Sequence, residues 1–415
     1  MSELTYLEKL LDGVKVEWQT LGKVLKRTKG TKITAGQMKA LHKDNAPLKI
    51  FAGGKTVAFV DFKDIPEKDI NREPSIIVKS RGIIEFEYYD KPFSHKNEMW
   101  SYHSNNDAIS IKYIYYFLKI NEGYFQKIGG KMQMPQIATP DTDKFEVPIP
   151  CPDNPEKSLA IQSEIVRILD KFTALTAELT AELNMRKKQY NYYRDQLLSF
   201  DEEQEKPVYL EKLLDGVKVE WKTLEKVLKR TKGTKITAGQ MKALHKDNAP
   251  LKIFAGGKTV AFVDFKDIPE KDINREPSII VKSRGIIEFE YYDKPFSHKN
   301  EMWSYHSNND AISIKYIYYF LKINEGYFQK IGGKMQMPQI ATPDTDKFEV
   351  PIPCPDNPEK SLAIQSEIVR ILDKFDTLTN SITEGLPREI ELRQKQYEYY
   401  RDLLFSFPKP ETVSN

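Results

Sequence analysis

The sequence predicts an α+β protein built from two near-identical globular domains, separated by a pair of long antiparallel helices with pseudo-two-fold symmetry. Residues 6–172 recur as residues 209–375 with only two substitutions, at positions 19/222 and 22/225. In each copy, a segment of strand-like runs precedes a long segment with apolar residues every three or four positions. A unit of roughly 200 residues copied once indicates a pseudo-dimer within a single chain, because solenoid repeats are far shorter.

The first part of each copy alternates β-rich runs with turn signals. Residues 56–62, 75–80 and 82–89 are rich in β-branched and aromatic side chains, which favours strands. Residues 108–120 fit a strand or a helix equally, since Ile, Tyr and Phe occur in both. Glycine and proline punctuate the chain from residue 129 to 155. This part is therefore predicted to be a globular α+β domain.

The second part of each copy carries a helical apolar stripe. In the first copy the stripe runs from Ile161 to Leu183 at spacings of three and four, and in the second copy from Ile364 to Ile390. Such a stripe requires a partner, and the two stripes most simply pair with each other. We expect antiparallel pairing, because each helix is preceded or followed by a whole globular domain. Gly385, with the nearby Pro387, should bend or interrupt the second helix.

The predicted organisation contains six segments. The boundaries are 1–157 and 209–360 for the globular domains, 158–200 and 361–407 for the helices, 201–208 for a charged linker, and 408–415 for a tail.

The first helix contains a short internal repeat. Residues 176–179 read Thr-Ala-Glu-Leu and residues 180–183 repeat them. Four residues advance a helix by ~6 Å and turn it by about 40° beyond a full turn, so the apolar face is nearly kept. The repeat is at least a short duplication of good helix formers. A sharper hypothesis is that it sets the separation of the flanking domains.

Composition limits the class of protein. Lys plus Arg is 63 and Asp plus Glu is 60, so the net charge of +3 excludes a uniformly basic groove. Two cysteines exclude a disulfide framework and a CxxC zinc site. No apolar run reaches the ~18 residues of a membrane span. We expect a soluble, intracellular protein that does not contact a membrane.

Catalytic and metal-binding motifs are not found. Residues 51–56 end like a phosphate-binding loop, but the position that needs the earlier glycine holds Lys49. A nuclease-like carboxylate set at residues 140–146 is followed by Pro148 where a lysine is needed. His42, His95 and His103 lack metal-ligand spacing. The sequence therefore predicts no catalytic residue and no metal site.

Basic and amide side chains cluster locally despite the neutral total. Arg, Asn and Gln read base edges, whereas Lys mainly contacts phosphate. A basic run alone is more often an ordinary solvated face than a binding site, but two identical domains suit a ligand with two-fold symmetry, such as duplex DNA. The predicted DNA-binding residues are Lys26, Arg27, Lys29, Lys79, Arg81, His95, Lys96, His103, Asn105, Lys131 and Gln133, with their copies Lys229, Arg230, Lys232, Lys282, Arg284, His298, Lys299, His306, Asn308, Lys334 and Gln336.

The sequence resembles the specificity subunits of type I restriction–modification systems, in the subgroup with Thr-Ala-Glu-Leu spacer repeats. The resemblance covers nearly the whole chain. It depends on the two-copy plan and the tandem tetrapeptide, and on these stretches: 74–82 followed by 90–93, 129–133, and 148–152 leading into 160–172.

The resemblance implies a function for each part. The globular domains would be target recognition domains, each reading half of a bipartite sequence in double-stranded DNA. The helices would form the spacer and dock two methyltransferase subunits that hold S-adenosylmethionine. Restriction subunits with motor activity would join them, using ATP and Mg. This chain would bind no cofactor and would not be catalytic by itself. The helix residues implied in partner docking or helix pairing are Tyr190, Tyr193, Arg194, Tyr397, Tyr400 and Arg401.

One departure from the family pattern carries a prediction. Specificity subunits usually have two different recognition domains, whereas these two are almost identical. We therefore predict a palindromic bipartite target: a half-site, a non-specific gap, and the reverse complement. The alternative is a duplicated protein-binding scaffold with a helical spacer and no role on DNA.

Overall fold

The computed structural model describes residues 6–11, 13–131, 133–200, 208–334 and 336–407. It forms two compact units: unit 1 comprises Met1–Leu179 and Glu389–Asn415, and unit 2 comprises Thr180–Arg388. The boundary at Leu179 separates the two Thr-Ala-Glu-Leu tetrapeptides. The predicted tail, and the predicted linker except Val208, lie outside the described residues.

The elements of the two copies correspond one to one as far as the long helices. In the first copy they are α1 Tyr6–Leu11, β1 Val16–Thr20, α2 Leu21–Val24, β2 Lys26–Lys29, α3 Ala35–Leu41, β3 Leu48–Phe51, β4 Val57–Val60, β5 Ser75–Lys79, β6 Glu85–Tyr89, β7 Phe93–His95, β8 Trp100–His103, α4 Ile111–Ile120, α5 Glu122–Gly129, α6 Thr139–Asp143, β9 Glu146–Pro150 and α7 Pro155–Leu198. In the second copy they are α8 Val208–Leu214, β10 Val219–Thr223, α9 Leu224–Val227, β11 Lys229–Lys232, α10 Ala238–Leu244, β12 Leu251–Phe254, β13 Val260–Val263, β14 Ser278–Lys282, β15 Glu288–Tyr292, β16 Phe296–His298, β17 Trp303–His306, α11 Ile314–Ile323, α12 Glu325–Gly332, α13 Thr342–Asp346, β18 Glu349–Pro353, α14 Pro358–Asn380 and α15 Gly385–Leu404. Short 3-10 helices at Phe62–Asp64, Glu67–Asp69, Phe265–Asp267 and Glu270–Asp272 complete the set.

Within the described residues, each globular part contains three small sheets. In unit 1 an antiparallel sheet has the order β2-β8-β5-β6, a second has the order β4-β3-β7 with β3 and β7 parallel, and β1 pairs with β9. The strand predictions at 56–62, 75–80 and 82–89 are confirmed by β4, β5 and β6. The ambiguous stretch 108–120 becomes helix α4, which Ser110 caps by accepting from the Tyr113 N–H.

The main core of unit 1 lies between the four-stranded sheet, helix α4 and the start of α7. Ile165 and Leu169 of α7 are fully buried in this core. Asp170, the residue after Leu169, accepts from the Tyr116 hydroxyl at 2.5 Å and the Lys112 ammonium at 2.7 Å. These contacts fix the start of α7 to the globular part of unit 1. A smaller separate core lies between α3, β3 and β4.

Each core is completed by the end of the other copy's helical segment. In unit 1 the cluster includes Leu404, Phe405 and Phe407, and Phe405 lies 5.5 Å from the Tyr113 ring. In unit 2 the corresponding residues are Leu197, Leu198 and Phe200. Periodicity predicted a helix pair, but the insertion of these helix ends into the domain cores was not predicted.

The helical segments differ between the copies. α7 is one helix of 44 residues, whereas the second copy has α14 and α15 separated at residues 381–384. This confirms the interruption predicted at Gly385. That residue has φ +79°, and an added Cβ would lie 2.3 Å from the Thr377 carbonyl oxygen, so only glycine fits. The antiparallel course of the whole helices stays a prediction.

No helix within the described ranges is both long and apolar enough to cross a membrane.

Candidate nucleic-acid interface

The first group of candidate residues lies on the edge strand β2. Lys26 pairs with His103 across the β2–β8 ladder, and Asn105 lies two residues after the end of β8. We call Lys26, Arg27, Lys29, His103 and Asn105 the edge-strand cluster. All are exposed except the half-buried His103, whose pKa is lowered by burial and by the Lys26 charge. The cluster therefore presents three cations and two neutral polar side chains.

Arg27 is oriented by an ion pair and by the hydrogen bonds around its carboxylate partner. Its guanidinium lies 3.3 Å from Asp143, and Asp143 also accepts from the Tyr102 hydroxyl at 2.5 Å. Tyr102 in turn contacts Thr142, which accepts from the Trp100 indole at 3.0 Å. This network orients Arg27 and neutralises part of its charge. Lys26 and Lys29 form no ion pair within the described part of the chain.

The second group lies at the tip of the β5–β6 hairpin. Arg81 bridges to Gln136, and the Gly82 N–H donates to the Pro135 carbonyl at 2.9 Å. The Arg81 Nε also donates to the Met134 sulfur at 3.1 Å. The tip is thereby fastened to the loop that carries Lys131 and Gln133. We call Arg81, Ile83, Lys131, Gln133 and Met134 the hairpin-tip cluster.

The structure removes two pairs of residues from the predicted DNA-binding set. His95 is fully buried, and burial lowers its pKa to about 4, so the ring is neutral at pH 7. Its Nε2 lies 3.1 Å from the Ser101 hydroxyl inside the fold. Lys79 is also buried, with its ammonium 2.6 Å from Glu85 and 2.8 Å from Glu87. Neither side chain is available to DNA, and the same holds for the copies His298 and Lys282.

Lys96 is half-buried and lies 2.8 Å from Glu98, and its copy Lys299 lies 2.7 Å from Glu301. Both of these cations are thus neutralised locally. Eight of the eleven candidates in each unit remain, five in the edge-strand cluster and three, Arg81, Lys131 and Gln133, in the hairpin-tip cluster.

The predicted helix residues form contacts within each unit. The Tyr400 ring stacks on Phe172 at 5.4 Å, and the Tyr193 ring stacks on Phe375 at 5.5 Å. Arg194 lies over Tyr190 at 5.8 Å, and Arg401 lies over Tyr397 at 5.9 Å.

Sequence reasoning missed the most exposed tyrosines of the same helices. Tyr192 is 61% exposed and Tyr399 is 65% exposed. The apolar stripe identifies the side of the helix that packs, and these residues lie off that stripe. The neighbouring pairs Tyr192–Tyr193 and Tyr399–Tyr400 in the sequence were the available signal.

Among the described residues, no three His, Cys, Asp or Glu side chains are grouped so that they could hold a metal ion.

Comparison with known proteins identifies the family. Residues 15–186 and 218–392 match the type I restriction modification DNA specificity domain. The chain is 41% identical to the EcoR124I/EcoR124II specificity subunit of Escherichia coli over all of both chains. It is 34% identical to the EcoprrI specificity subunit of E. coli, over 92% of this chain and 93% of that protein. A crystal structure of the S subunit of a type I system from M. genitalium has the same fold, with a TM-score of 0.65 over 96% of this chain and 98% of that chain, at 18% identity. The chain therefore belongs to the type I restriction–modification DNA specificity family.

Proposed function

We propose that this chain is the DNA-recognition subunit of a type I restriction–modification complex, and that both of its units read the same half-site. The observation that carries this proposal is the identity of residues 6–172 and 209–375 at all but two positions. Two identical domains that contact the two DNA strands in opposite directions specify a half-site and its reverse complement. The full target is then palindromic, with a non-specific gap.

The edge-strand cluster and the hairpin-tip cluster make different contacts with DNA. Lys26 and Lys29 lie on an exposed edge strand without a carboxylate partner in the described structure, which suits contact with phosphate. Arg81 and Gln133 lie on a fastened tip, which suits readout of base edges, because Arg pairs with guanine and Gln with adenine. The corresponding contact in unit 2, Arg284 to Met337, has the same 3.1 Å distance.

The helices supply the surface for the partner subunits. Tyr193 and Tyr400 are engaged by phenylalanines, so the exposed Tyr192 and Tyr399 are the better candidates for docking two methyltransferase subunits. Exposed tyrosines are enriched at such interfaces. S-adenosylmethionine would be held by those subunits, and ATP and Mg by the restriction subunits.

The scaffold alternative is not favoured. Both matched segments belong to a DNA specificity domain, and named relatives over the full length are specificity subunits.

Retention of duplex DNA by the chain with its methyltransferase tests the recognition role. We expect specific binding that weakens steeply with salt, because phosphate contacts release counterions. Combined Arg81→Ala and Arg284→Ala should remove specificity, while Arg72→Ala with Arg275→Ala, whose guanidinium groups pair with Glu67 and Glu270, should not. Equal binding of all duplexes by the wild-type complex would contradict the proposal.

The tetrapeptide repeat sets the gap. Deleting residues 180–183 shortens a helix by ~6 Å, which compares with ~3.4 Å per base pair, so the gap should change by about one to two base pairs. The half-sites should stay the same. Altered half-sites with an unchanged gap would contradict the role of the repeat as a spacer.

A further inference from the structure

Two large apolar side chains are exposed on the hairpin-tip cluster. Ile83 is 50% exposed and Met134 is 52% exposed. In unit 2 the copies Ile286 and Met337 are each 52% exposed. Exposed apolar side chains that lie together on a polar surface usually mark a binding site.

The backbone displays these side chains on a rigid support. The adjacent Ile84 is buried, and its side chain packs so closely on Gly129 that an added Cβ there would lie 2.3 Å from the Ile84 Cδ1. The Ile137 N–H donates to the Ser80 carbonyl at 3.0 Å, which closes the base of the tip. Ile83 therefore points outward because Ile84 is anchored inward, and Gly82 makes the turn between them and Arg81 with φ +80°.

The surroundings of the two side chains are cationic. Residues 80–84 and 126–137 contain Arg81, Lys127 and Lys131 and no Asp or Glu. Within the described ranges none of these three cations forms an ion pair, in contrast to the neutralised Lys79 and Lys96. The occupant must therefore combine negative charge with apolar surface at close range. Duplex DNA does so, with phosphates outside and stacked bases inside.

We propose that Ile83 and Met134 act as an apolar wedge that enters the DNA groove and partly unstacks a base step within each half-site. Isoleucine and methionine are among the residues that wedge between base pairs in proteins that bend DNA. Arg81, whose Nε donates to the Met134 sulfur, places the wedge next to the base edge that it reads. This inference rests on the proposed DNA recognition, and adds to it a reading of how easily the sequence deforms.

The test uses the chain in complex with its methyltransferase and duplexes carrying 2-aminopurine at single positions of the half-site, excluding the methylated adenine. Unstacking raises the fluorescence of this base. We expect a several-fold rise at one step in each half-site with the wild-type complex. The variant I83A/M134A/I286A/M337A should lose the rise, and Ile83→Val with Met134→Leu and the matching changes in unit 2 should keep most of it. The control V57A/V260A removes apolar side chains on β4 and β13 that are each 40% exposed, and it should behave as wild type.

The outcomes separate the wedge from the recognition role. Specific binding with no fluorescence rise at any position overturns the wedge and leaves the proposed function intact. A rise that persists in the alanine variant also overturns the wedge. Failure of the alanine variant to bind the methyltransferase, with normal thermal unfolding, would assign the patch to protein docking and overturn the wedge. Absence of any sequence-specific binding by the wild-type complex would instead remove the proposed function.

Discussion

The recognition parts of unit 1 and unit 2, residues 6–172 and 209–375, differ at only two positions. Gly22 lies on α2, and a Cβ added there would meet Asp143 at 3.3 Å. The copy is Glu225, which lines an open cleft of about 490 Å³ with Lys229, Arg230 and Asp346. The Asp346 side chain is 14% exposed and that of Asp143 is 30% exposed, and Arg230 lies 3.1 Å from Asp346.

The second difference has a local effect. Lys222 stands where unit 1 has Gln19, and its ammonium lies 3.1 Å from Glu220 on the same strand. The two substitutions add one charge of each sign, so the net charge of the recognition part is unchanged. Neither touches the hairpin tip. Base readout should therefore be equal in the two units, while attraction of phosphate at the edge strand should differ slightly.

The largest expected effect tests whether the two cores are equivalent. Leu169 and Leu372 are both fully buried at matching positions of α7 and α14. Leu169→Ala or Leu372→Ala should lower the free energy of unfolding by about 2–5 kcal/mol, because each leaves a cavity. Urea denaturation should give the same shift for both variants. A clear difference between the two shifts would show that the cores are not equivalent.

Hydrogen exchange of the wild-type chain, measured on proteolytic peptides, is a control for the comparison of the two cores. Proteolytic peptides from the two copies are identical except where they span positions 19–22 or 222–225, or the divergent helices. In the wild-type chain each shared peptide should show one isotope envelope during hydrogen exchange. Two envelopes would mean that the units open with different free energies.

Acid should destabilise both units in the same range of pH. His95 and His298 each have a pKa lowered from 6.5 to about 4 by burial. The unfolded chain binds these protons first, so stability is complete above pH 6.5 and falls as the pH drops toward 4. The full loss is roughly 3 kcal/mol per histidine at 1.36 kcal/mol per pKa unit. NMR titration of the two rings should show both pKa values near 4, and a value near 6.5 for either would contradict their burial.

Loss of one hairpin-tip arginine should affect one half-site. Arg81→Ala and Arg284→Ala should each weaken specific binding by about 1–3 kcal/mol, the range for one bidentate base contact. Binding measured on duplexes with one altered half-site should show equal losses for the two variants. If only one arginine matters, the two units do not read the same bases.

The smallest effect concerns the extra carboxylate of unit 2. Glu225→Gly should strengthen DNA binding and Gly22→Glu should weaken it, each by less than about 1 kcal/mol because the charges are exposed. The dependence of Kd on salt should steepen slightly for Glu225→Gly. Weaker DNA binding by Glu225→Gly, or stronger binding by Gly22→Glu, would show that Glu225 does not oppose phosphate binding at the Lys226–Arg230 edge.

The strands, the interruption at Gly385 and the two-copy plan could be predicted because they depend on local patterns. His95 and Lys79 could not be placed correctly from sequence. Lys79 lies in β5 and His95 in β7, and every residue of these two strands is buried, which a short strand run does not reveal from sequence. Lys79 pairs with Glu85 and Glu87 of the neighbouring strand, and His95 contacts Ser101 of the other sheet. The role of Phe405 and Phe407 was missed for the same reason: a stripe shows that a helix packs, but not that its end enters a domain core.

Long-read mapping of methylated adenine in cells that express the chain with its methyltransferase tests the central claim most directly. We expect one half-site, a gap of fixed length and the reverse complement of that half-site, with adenine methylated in both halves. A target with two different half-sites would contradict it.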